Sequence, residues 1–294
     1  MELQSRVKDL QDKGLGLAAI SYDPPEVLQA FSRQHGITFP LLSDAGSATI
    51  SEYGILNPLP EMALDADATD PAVKAEIHTY VSAVNPSARM KGIAFPGTFM
   101  LDRQGRVTSR FFEDFYVERN TVSSLMLKLG VGTAPVNATK ISSAHLDATT
   151  YPSDAVIAPG NRITLTLDIV PRPGMHVYAP GASGYRVISF EVTPQPSVRV
   201  LPARYPASEI YVFAPLKERV PVFQKPFTLL RDVVVEGTRE AQAALAGKDA
   251  ITLAGTLEYQ ACDDKVCFNP VSLPLTWTMS LRPLVTARPT GPAR

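Results

Sequence analysis

The amino-acid sequence predicts two domains of different class, an α/β unit followed by an all-β sandwich. Helical spacings and short apolar runs alternate up to about residue 131, whereas apolar and polar residues alternate strictly in several segments after about residue 140. At 294 residues the chain is long enough for each domain to bury its own core. The composition is that of a globular protein, with 45% hydrophobic and 19% charged residues.

The first domain opens with a predicted amphipathic helix that ends near Gly14. The apolar run over residues 17–22 predicts a short, buried parallel strand. A second helix is predicted to start after Asp23, because this residue suits the N-cap and two prolines and a glutamate follow it. Gly36 is the predicted end of this helix.

The rest of the first domain combines one more short helix, an insertion, a hairpin and a final helix. The short helix closes at Gly54, and residues 57–91 look like an insertion with helical spacing only near its middle. Residues 95–102 and 106–111 predict a hairpin around a glycine turn, and residues 125–129 lie in the final helix. This order predicts an α/β unit with a mixed sheet.

Two motifs in this hairpin resemble a known family. Residues 95–99 (FPGTF) and 101–107 (LDRQGRV) resemble the redoxin branch of the thioredoxin superfamily, which includes the AhpC/TSA and TlpA-like proteins. The resemblance spans about residues 1 to 130 and implies a thioredoxin-like fold. It also implies that Pro96 is the cis proline that faces the reactive cysteine of that family. An ordinary turn proline before a strand is the alternative for Pro96.

The feature that defines the redoxin family is absent from this first domain. Its nucleophilic cysteine lies at the N-terminus of the first helix, where the helix dipole stabilises a thiolate. No cysteine occurs here before Cys262, and the strand that precedes the family's first helix is missing. We therefore expect an incomplete thioredoxin-like domain that performs neither peroxidase nor thiol-exchange chemistry by itself.

The second domain shows the two-residue period of antiparallel strands. Apolar residues alternate with polar ones over residues 163–169, 251–260 and 271–279, and prolines and glycines punctuate the segments between them. Only residues 238–245 look briefly helical. The pattern predicts antiparallel sheets packed as a sandwich.

The chain has two cysteines, Cys262 and Cys267, and they lie between the last two predicted strands. A hairpin with a four-residue loop can bring their Cα atoms within the roughly 4.4–6.8 Å that a disulfide requires. A cross-link over so short a loop adds little stability. This favours redox exchange over a static staple or a pair of inert thiols. The four histidines are scattered, so we expect no metal and no other cofactor.

The segments on either side of the cysteines carry a second resemblance. Residues 259–262 (YQAC) and 267–270 (CFNP) resemble the cysteine hairpin of the DsbD N-terminal domain family, and the likeness covers about residues 140 to 280. It implies an immunoglobulin-like sandwich that passes electrons through transient mixed disulfides. It also implies that Cys267 forms the mixed disulfide and that Cys262 resolves it. The loop between the cysteines is one residue shorter than this family leads us to expect.

The same resemblance implies aromatic side chains and a cap around the cysteines. Residues 174–178 look like the strand that supplies Tyr178 and His176 beside the disulfide, and Tyr205 is the candidate for the cap. Tyr259 and Phe268 flank the pair in sequence. Core or rim packing is the alternative role for each of these residues.

These observations and the two resemblances predict a thiol–disulfide oxidoreductase, or electron relay, that acts in the periplasm or elsewhere outside the cytoplasm. Its expected partner is a thioredoxin-like or DsbD-type electron donor. A net charge of −1 and the absence of a long apolar segment indicate neither nucleic-acid binding nor a membrane span. The sequence shows no export signal, which leads us to expect a truncated N-terminus. The predicted divisions are 1–131, a linker at 132–139, the sandwich at 140–281 and a Pro-rich tail at 282–294.

Three alternatives stay open at this point. The first is a redoxin enzyme, a peroxidase with antioxidant activity or a thiol reductase, whose active cysteines lie upstream of Met1. The second is a non-catalytic interaction module in which the disulfide is structural. The third is a chaperone for zinc or copper(I).

Overall fold

The computed structural model describes residues 2–64, 70–83, 87–112, 118–130, 134–213 and 218–283. Within these residues the chain divides into two compact units. The first extends to Val122 and includes Gly237–Gln242, and the second comprises Ser123–Glu236 and Ala243–Pro283. None of the helices in this described part of the chain is long and apolar enough to cross a bilayer.

The first unit contains short helices and five short strands, of which the first four form two separate ribbons. Its elements are α1 (Glu2–Ser5), α2 (Val7–Asp12), β1 (Ala19–Ser21), α3 (Pro25–His35), β2 (Leu41–Ser43), α4 (Ala48–Glu52), α5 (Leu59–Leu64), α6 (Pro71–Ala83), a 3₁₀ helix (Ala88–Met90), β3 (Gly97–Leu101), β4 (Val107–Phe112) and the two-residue strand β5 (Arg119–Asn120).

The predicted helix after Asp23 is confirmed as α3, but its N-cap is Pro24 and not Asp23. Pro24 has the extended backbone of an N-cap, with ψ at 158°. The Asp23 carboxylate instead accepts a hydrogen bond from the Ser21 hydroxyl at 2.6 Å. Pro25 takes the first helical position, where a missing N–H costs nothing. At the other end Gly36 adopts φ of 60°, the left-handed conformation that suits glycine.

The strands of the first unit differ from the predicted mixed sheet. Strand β1 pairs in parallel with β2, and β3 pairs antiparallel with β4. Within the described residues these two ribbons do not join into one sheet. The predicted burial of β1 is also wrong, because Ile20 at its centre is 49% exposed. A strand face is buried only where another layer packs on it, and apolar content alone does not supply that layer.

The Phe95–Pro96 peptide bond is trans, since the described residues contain no cis peptide bond. The family resemblance had implied the cis form. The two forms of an X–Pro bond differ by only about 0.5–1 kcal/mol, so local contacts decide between them. Here the backbone N–H of Phe95 donates to the carbonyl of Ile55 at 2.7 Å, just before the β3–β4 hairpin.

The second unit is almost entirely strand. Its elements are most of α7 (Val122–Lys128), then β6 (Thr139–Ser142), β7 (Leu146–Pro152), β8 (Val156–Ile157), β9 (Asn161–Pro171), β10 (His176–Tyr178), β11 (Ser189–Val192), β12 (Val198–Arg204), β13 (Glu209–Phe213), β14 (Glu218–Phe223), β15 (Phe227–Val235), part of α8 (Arg239–Leu245), β16 (Ala250–Tyr259), β17 (Ala261–Cys262) and β18 (Val271–Leu281).

These strands form three sheets around one apolar core. Their orders are β12-β15-β9-β7-β6, β11-β16-β18-β8 and β13-β14-β10-β17. Strand β16 alternates between buried and exposed residues as its sequence predicts. The largest fully buried side chains are those of Trp277, Tyr259 and Phe190, and all three belong to the same apolar cluster. The third sheet is the one that carries the cysteines.

Strand β9 departs from the predicted alternation because both of its faces are buried. Thr164 and Thr166, expected to face outward, are completely buried. The Thr164 hydroxyl donates to Asp232 at 2.8 Å and lies 2.7 Å from the hydroxyl of Ser124 on α7. Helix α7 thus covers this face of β9, and residues from Ser123 onward group with the second unit. The division near residue 131 that we proposed from the sequence lies after this helix.

A buried ion pair holds α7 on the sheet. The Lys128 ammonium lies 2.8 Å from the Asp232 carboxylate, and their side chains are only 1% and 2% exposed. Burial lowers the pKa of Lys128 to about 8, and the nearby carboxylate opposes that shift. Burial alone pushes the pKa of Asp232 up, but Lys128 and Arg162 outweigh it and leave the pKa lowered. Arg162 also contacts this carboxylate, at 2.9 Å.

We predict unequal costs for removing the two partners of this pair. Asp232→Asn leaves Lys128 and Arg162 buried together without a counter-charge, and breaking a buried pair in this way costs about 3–5 kcal/mol. Lys128→Met costs less, because Asp232 keeps Arg162 and Thr164. Trp277 is the single tryptophan of the chain, so its fluorescence during urea unfolding reports the second unit alone. Equal losses of unfolding free energy in the two variants contradict this assignment.

Candidate functional site

The two cysteines lie in the connection between the longest pair of antiparallel strands. Strands β16 and β18 pair along ten positions and end with Tyr259 opposite Val271. Cys262 and Cys267 form a disulfide with their Cα atoms 4.1 Å apart. The backbone N–H of Phe268 donates to the carbonyl of Ala261 at 2.9 Å, which continues the pairing beside the disulfide.

The residues between the cysteines form a tight turn that Asp263 holds. Its carboxylate accepts hydrogen bonds from the backbone N–H groups of Lys265 and Val266, each at 2.7 Å. Its own N–H donates to the carbonyl of Val266 at 3.0 Å. The bonds from Val266 and Lys265 lower the pKa of the Asp263 carboxyl. The turn is therefore defined by its own side chain, as aspartate does in many turns.

The two cysteines differ sharply in burial. Cys262 is 1% exposed and lies in β17, opposite His176 of β10. Cys267 belongs to the exposed residues that continue from Asp264 around the turn. The disulfide therefore joins a buried cysteine to an exposed one.

A buried tyrosine contacts both sulfur atoms. The Tyr178 hydroxyl oxygen lies 2.9 Å from Sγ of Cys262 and 3.3 Å from Sγ of Cys267. Burial raises the pKa of this phenol well above its usual value, so it remains protonated. The ring of Tyr185 stacks on that of Tyr178, with the centroids 3.9 Å apart, and its hydroxyl donates to Glu218 at 2.7 Å.

His176 completes the aromatic group on the buried side. Its ring lies 5.6 Å from the ring of Tyr178 and 4.4 Å from that of Tyr211, measured between centroids. The side chain is buried, and this burial lowers the pKa of the imidazole, while the charge of Asp263 opposes the shift. We call Tyr178, Tyr185, Tyr211 and His176 the aromatic cluster.

The other residues singled out from the sequence lie outside this cluster. Tyr259 is fully buried in the main core, and its hydroxyl lies 2.9 Å from that of Ser143. Phe268 packs against the same core and against the ring of His145, with the centroids 4.5 Å apart. Tyr205 also packs against the main core, where burial raises its pKa. Its role as a cap stays a prediction, and Pro96 belongs to the first unit.

Sequence reasoning missed Tyr185, Tyr211 and Glu218. Tyr185 follows a glycine-rich segment that reads as a loop, and nothing in the sequence predicts that its ring returns to stack on Tyr178. The position of Tyr211 could have been predicted from the alternation of side chains along its strand. It stands between Ile210 and Val212, whose side chains are exposed, so the aromatic residue marks the inward face of β13.

No group of three or more His, Cys, Asp or Glu residues suited to a metal ion occurs in the part of the chain that the structure describes. The arrangement is that of a disulfide with one shielded sulfur, one accessible sulfur and a hydroxyl donor in contact with both.

We predict that His176 makes the stability of the second unit depend on pH. Its folded-state pKa lies below the unfolded value of about 6.5, so the unfolded state binds the proton first. The stability that neutral His176 contributes to the folded state is therefore fully present above about pH 6.5 and is lost as the pH falls below that value. Urea unfolding followed by Trp277 fluorescence at about pH 7 and pH 5 should show this loss. His176→Phe, which keeps a ring against Tyr211, should flatten the dependence, and an unchanged slope in the variant contradicts the prediction.

Comparisons with known proteins agree with this two-unit organisation. Residues 1–110 match the model of the AhpC/TSA family, and residues 147–273 match that of the N-terminal region of the thiol:disulfide interchange protein DsbD. No curated protein sequence matches the chain.

Two solved structures show weaker likeness. The N-terminal periplasmic domain of ScsB from Proteus mirabilis aligns with a TM-score of 0.34 and 15% identity, over 49% of this chain and 51% of that one. The chain therefore spans about half the length of that domain. The reduced N-terminal domain of Neisseria meningitidis DsbD aligns with a TM-score of 0.27 and 14% identity, over 40% of this chain and 80% of that one.

The assignment therefore depends on the two family matches and on the observed strands. The chain combines a thioredoxin-like first domain that matches the AhpC/TSA family with a β-rich second domain that matches, and resembles in its immunoglobulin-like fold, the N-terminal domain of DsbD.

Proposed function

We propose that the second unit is a thiol–disulfide relay whose reactive group is the Cys262–Cys267 disulfide. The observation that carries this proposal is the unequal burial of the two cysteines. An exposed Cys267 offers one sulfur to a partner, and a buried Cys262 beside a hydroxyl donor is a leaving group held inside the protein. The match of this region to the DsbD N-terminal family supports the same chemistry.

The exchange takes two steps, each a displacement at sulfur. A partner thiolate attacks Sγ of Cys267, a new bond joins the two proteins, and the Cys262–Cys267 bond breaks with its electron pair on Cys262. A second thiolate of the partner then attacks the partner's own sulfur in this mixed disulfide and releases Cys267. Two electrons have entered this unit, both cysteines take up protons, and the partner leaves oxidised. The reverse sequence passes the electrons to an acceptor.

A static staple explains the geometry less well. Closing a loop of six residues removes little chain entropy, and the loop-closure estimate gives about 2 kcal/mol, against roughly 3 kcal/mol for a loop of 15 residues. The same strands are already joined by the ten-position pairing of β16 with β18. The hairpin therefore has little need of a cross-link at its tip.

The partners that suit this site are dithiol proteins, of the thioredoxin-like or DsbD-type class. Small dithiols also fit the chemistry, but Cys267 lies among consecutive exposed residues that a protein surface can contact. We place the protein outside the cytoplasm, in the periplasm, because a disulfide persists where the surroundings are oxidising. The family match to a thiol:disulfide interchange protein supports this location. The relay needs no thiol from the first unit, which has none.

The first test is the reduction potential of the pair. We expect a value above about −250 mV, the range of exchanging dithiols, whereas structural disulfides lie below about −300 mV. Equilibration in glutathione or dithiothreitol buffers, followed by alkylation and mass measurement, gives the potential directly. A value in the structural range rejects the relay and favours the non-catalytic module.

The second test distinguishes the two sulfur atoms. In the Cys262→Ser variant the remaining thiol of Cys267 is exposed, so oxidised glutathione should form a mixed disulfide with it rapidly. In the matched Cys267→Ser variant the thiol of Cys262 is buried, and we expect labelling at least about tenfold slower. Intact mass against time measures both rates. Equal rates, or faster labelling of Cys262, contradict the proposed direction of attack.

A further inference from the structure

The Tyr178 hydroxyl contacts the disulfide directly, which core packing of the ring alone does not require. Among the described residues, it is the polar side-chain atom that lies within hydrogen-bond distance of both sulfur atoms, at 2.9 Å from Cys262 and 3.3 Å from Cys267. We propose that Tyr178 is a catalytic residue that donates a hydrogen bond to the Cys262 thiolate when a partner attacks Cys267. This inference extends the proposed function and depends on it.

The hydroxyl is a donor throughout the exchange. Burial raises the pKa of Tyr178 far enough that the phenol keeps its proton wherever thiols exchange. A disulfide sulfur is a weak acceptor, whereas a thiolate is a charged one, and hydrogen bonds to charged groups are roughly twice as strong as neutral ones. The bond from Tyr178 therefore strengthens as negative charge develops on Cys262. Only an interaction that strengthens in this way accelerates the step.

The surroundings of each sulfur indicate which thiolate the Tyr178 hydroxyl stabilises. Cys267 is exposed, so water can solvate its charge. Cys262 is buried among Tyr178, Val220 and Val222, where an isolated thiolate is strongly disfavoured. The hydroxyl also lies nearer to Cys262. A buried leaving group with an apolar surrounding needs a donor, and Tyr178 is placed to supply it.

Tyr185 and Glu218 are positioning residues for this donor. Tyr185 stacks on the ring of Tyr178 with only 13° between the planes, and its hydroxyl is tied to Glu218. Tyr178 itself lies in β10, which pairs with β14 on one side and β17 on the other. The ring therefore has little freedom to turn away, and the donor is in place before charge appears.

The test uses two tyrosine-to-phenylalanine variants that each remove one hydroxyl. Tyr178→Phe removes the donor. Tyr151→Phe is the matched control, because Tyr151 is also buried in the second unit and its hydroxyl donates to Asp168 at 3.0 Å. Each is made in the full-length wild-type chain and in a Cys267→Ser background, where Cys262 is the single thiol. Trp277 fluorescence checks that both variants fold.

In the Cys267→Ser background we expect Tyr178→Phe to raise the pKa of the Cys262 thiol by about one unit, measured by the ultraviolet absorbance of the thiolate. In the wild-type background, reduction by dithiothreitol should slow about three- to tenfold, because a less acidic thiol leaves more slowly. Tyr151→Phe should change neither quantity. The charges of Asp263 and Glu218 and the ring of His176 remain in both variants, so the difference isolates the hydroxyl.

Tyr185→Phe provides a second reading with the stacked ring retained. Loss of its hydrogen bonds to Glu218 and to the Tyr178 hydroxyl should move the pKa of the Cys262 thiol in the same direction by less than Tyr178→Phe does. An unchanged pKa and rate in Tyr178→Phe, or equal changes in the Tyr151→Phe control, overturn the inference. The relay itself is tested by the labelling of Cys267 and by the potential, so it can stand when the role of Tyr178 fails. If the relay fails, the titration of Cys262 still shows whether the hydroxyl contacts its thiolate.

Discussion

The antiparallel pairing of β17 with β10 is the constraint on which the site depends. It sets Cys262 opposite His176 and Ala261 opposite Val177. Because side chains alternate along a strand, Tyr178 then falls on the same face as His176, two residues away. Both therefore lie on the face of the sheet where the disulfide lies. A shift of this pairing by one residue would turn the two rings to the other face and remove the donor from the sulfurs.

The same pairing explains why the two sulfurs have different surroundings. Cys262 is a strand residue, covered by its neighbours in the sheet and by the side chains of β14. Cys267 comes after the turn that Asp263 holds, and the next long strand, β18, begins only at Val271. One cysteine is thus part of the sheet and the other part of a loop. The disulfide joins a rigid, shielded position to an accessible one, which is the asymmetry that directed exchange requires.

The sequence predicted this site as far as strand periodicity and cysteine spacing reach. The alternation in residues 251–260 and 271–279 places the cysteines at a hairpin, and the hairpin is confirmed in β16 and β18. Periodicity could not predict that Thr164 is buried, because the cover over it is a helix with a charged residue, Lys128. It could not place Tyr185 either, since a loop residue has no period. Long-range contacts of polar and aromatic groups lie outside what a local pattern encodes.

In the first domain, too, local sequence patterns predict helices better than they predict the pairing of strands. Most of its helices were predicted from residue spacing, which is a local signal, although α5 was not predicted and the N-cap of α3 is Pro24. Its sheet was not predicted correctly, because pairing between strands depends on distant partners. The apolar run around Ile20 predicted burial on both faces, yet β1 has β2 as its neighbour and an exposed centre. The apolar content of a strand shows that its faces favour burial, but burial also requires other elements that pack on those faces.

The contact of one hydroxyl with both sulfurs bears on how fast such a site can work. A donor that had to move toward the leaving group during the exchange would add its own ordering cost to the barrier. In the oxidised protein the Tyr178 ring is already ordered by its stack with Tyr185 and by the strands that pair with β10 on both sides, so no further ordering is needed. The phenol already lies against the disulfide in this state, before any partner attacks. In the proposed exchange, the Tyr178 side chain both shields the sulfur of Cys262 and donates a hydrogen bond to its thiolate, so that a buried cysteine can act as the leaving group.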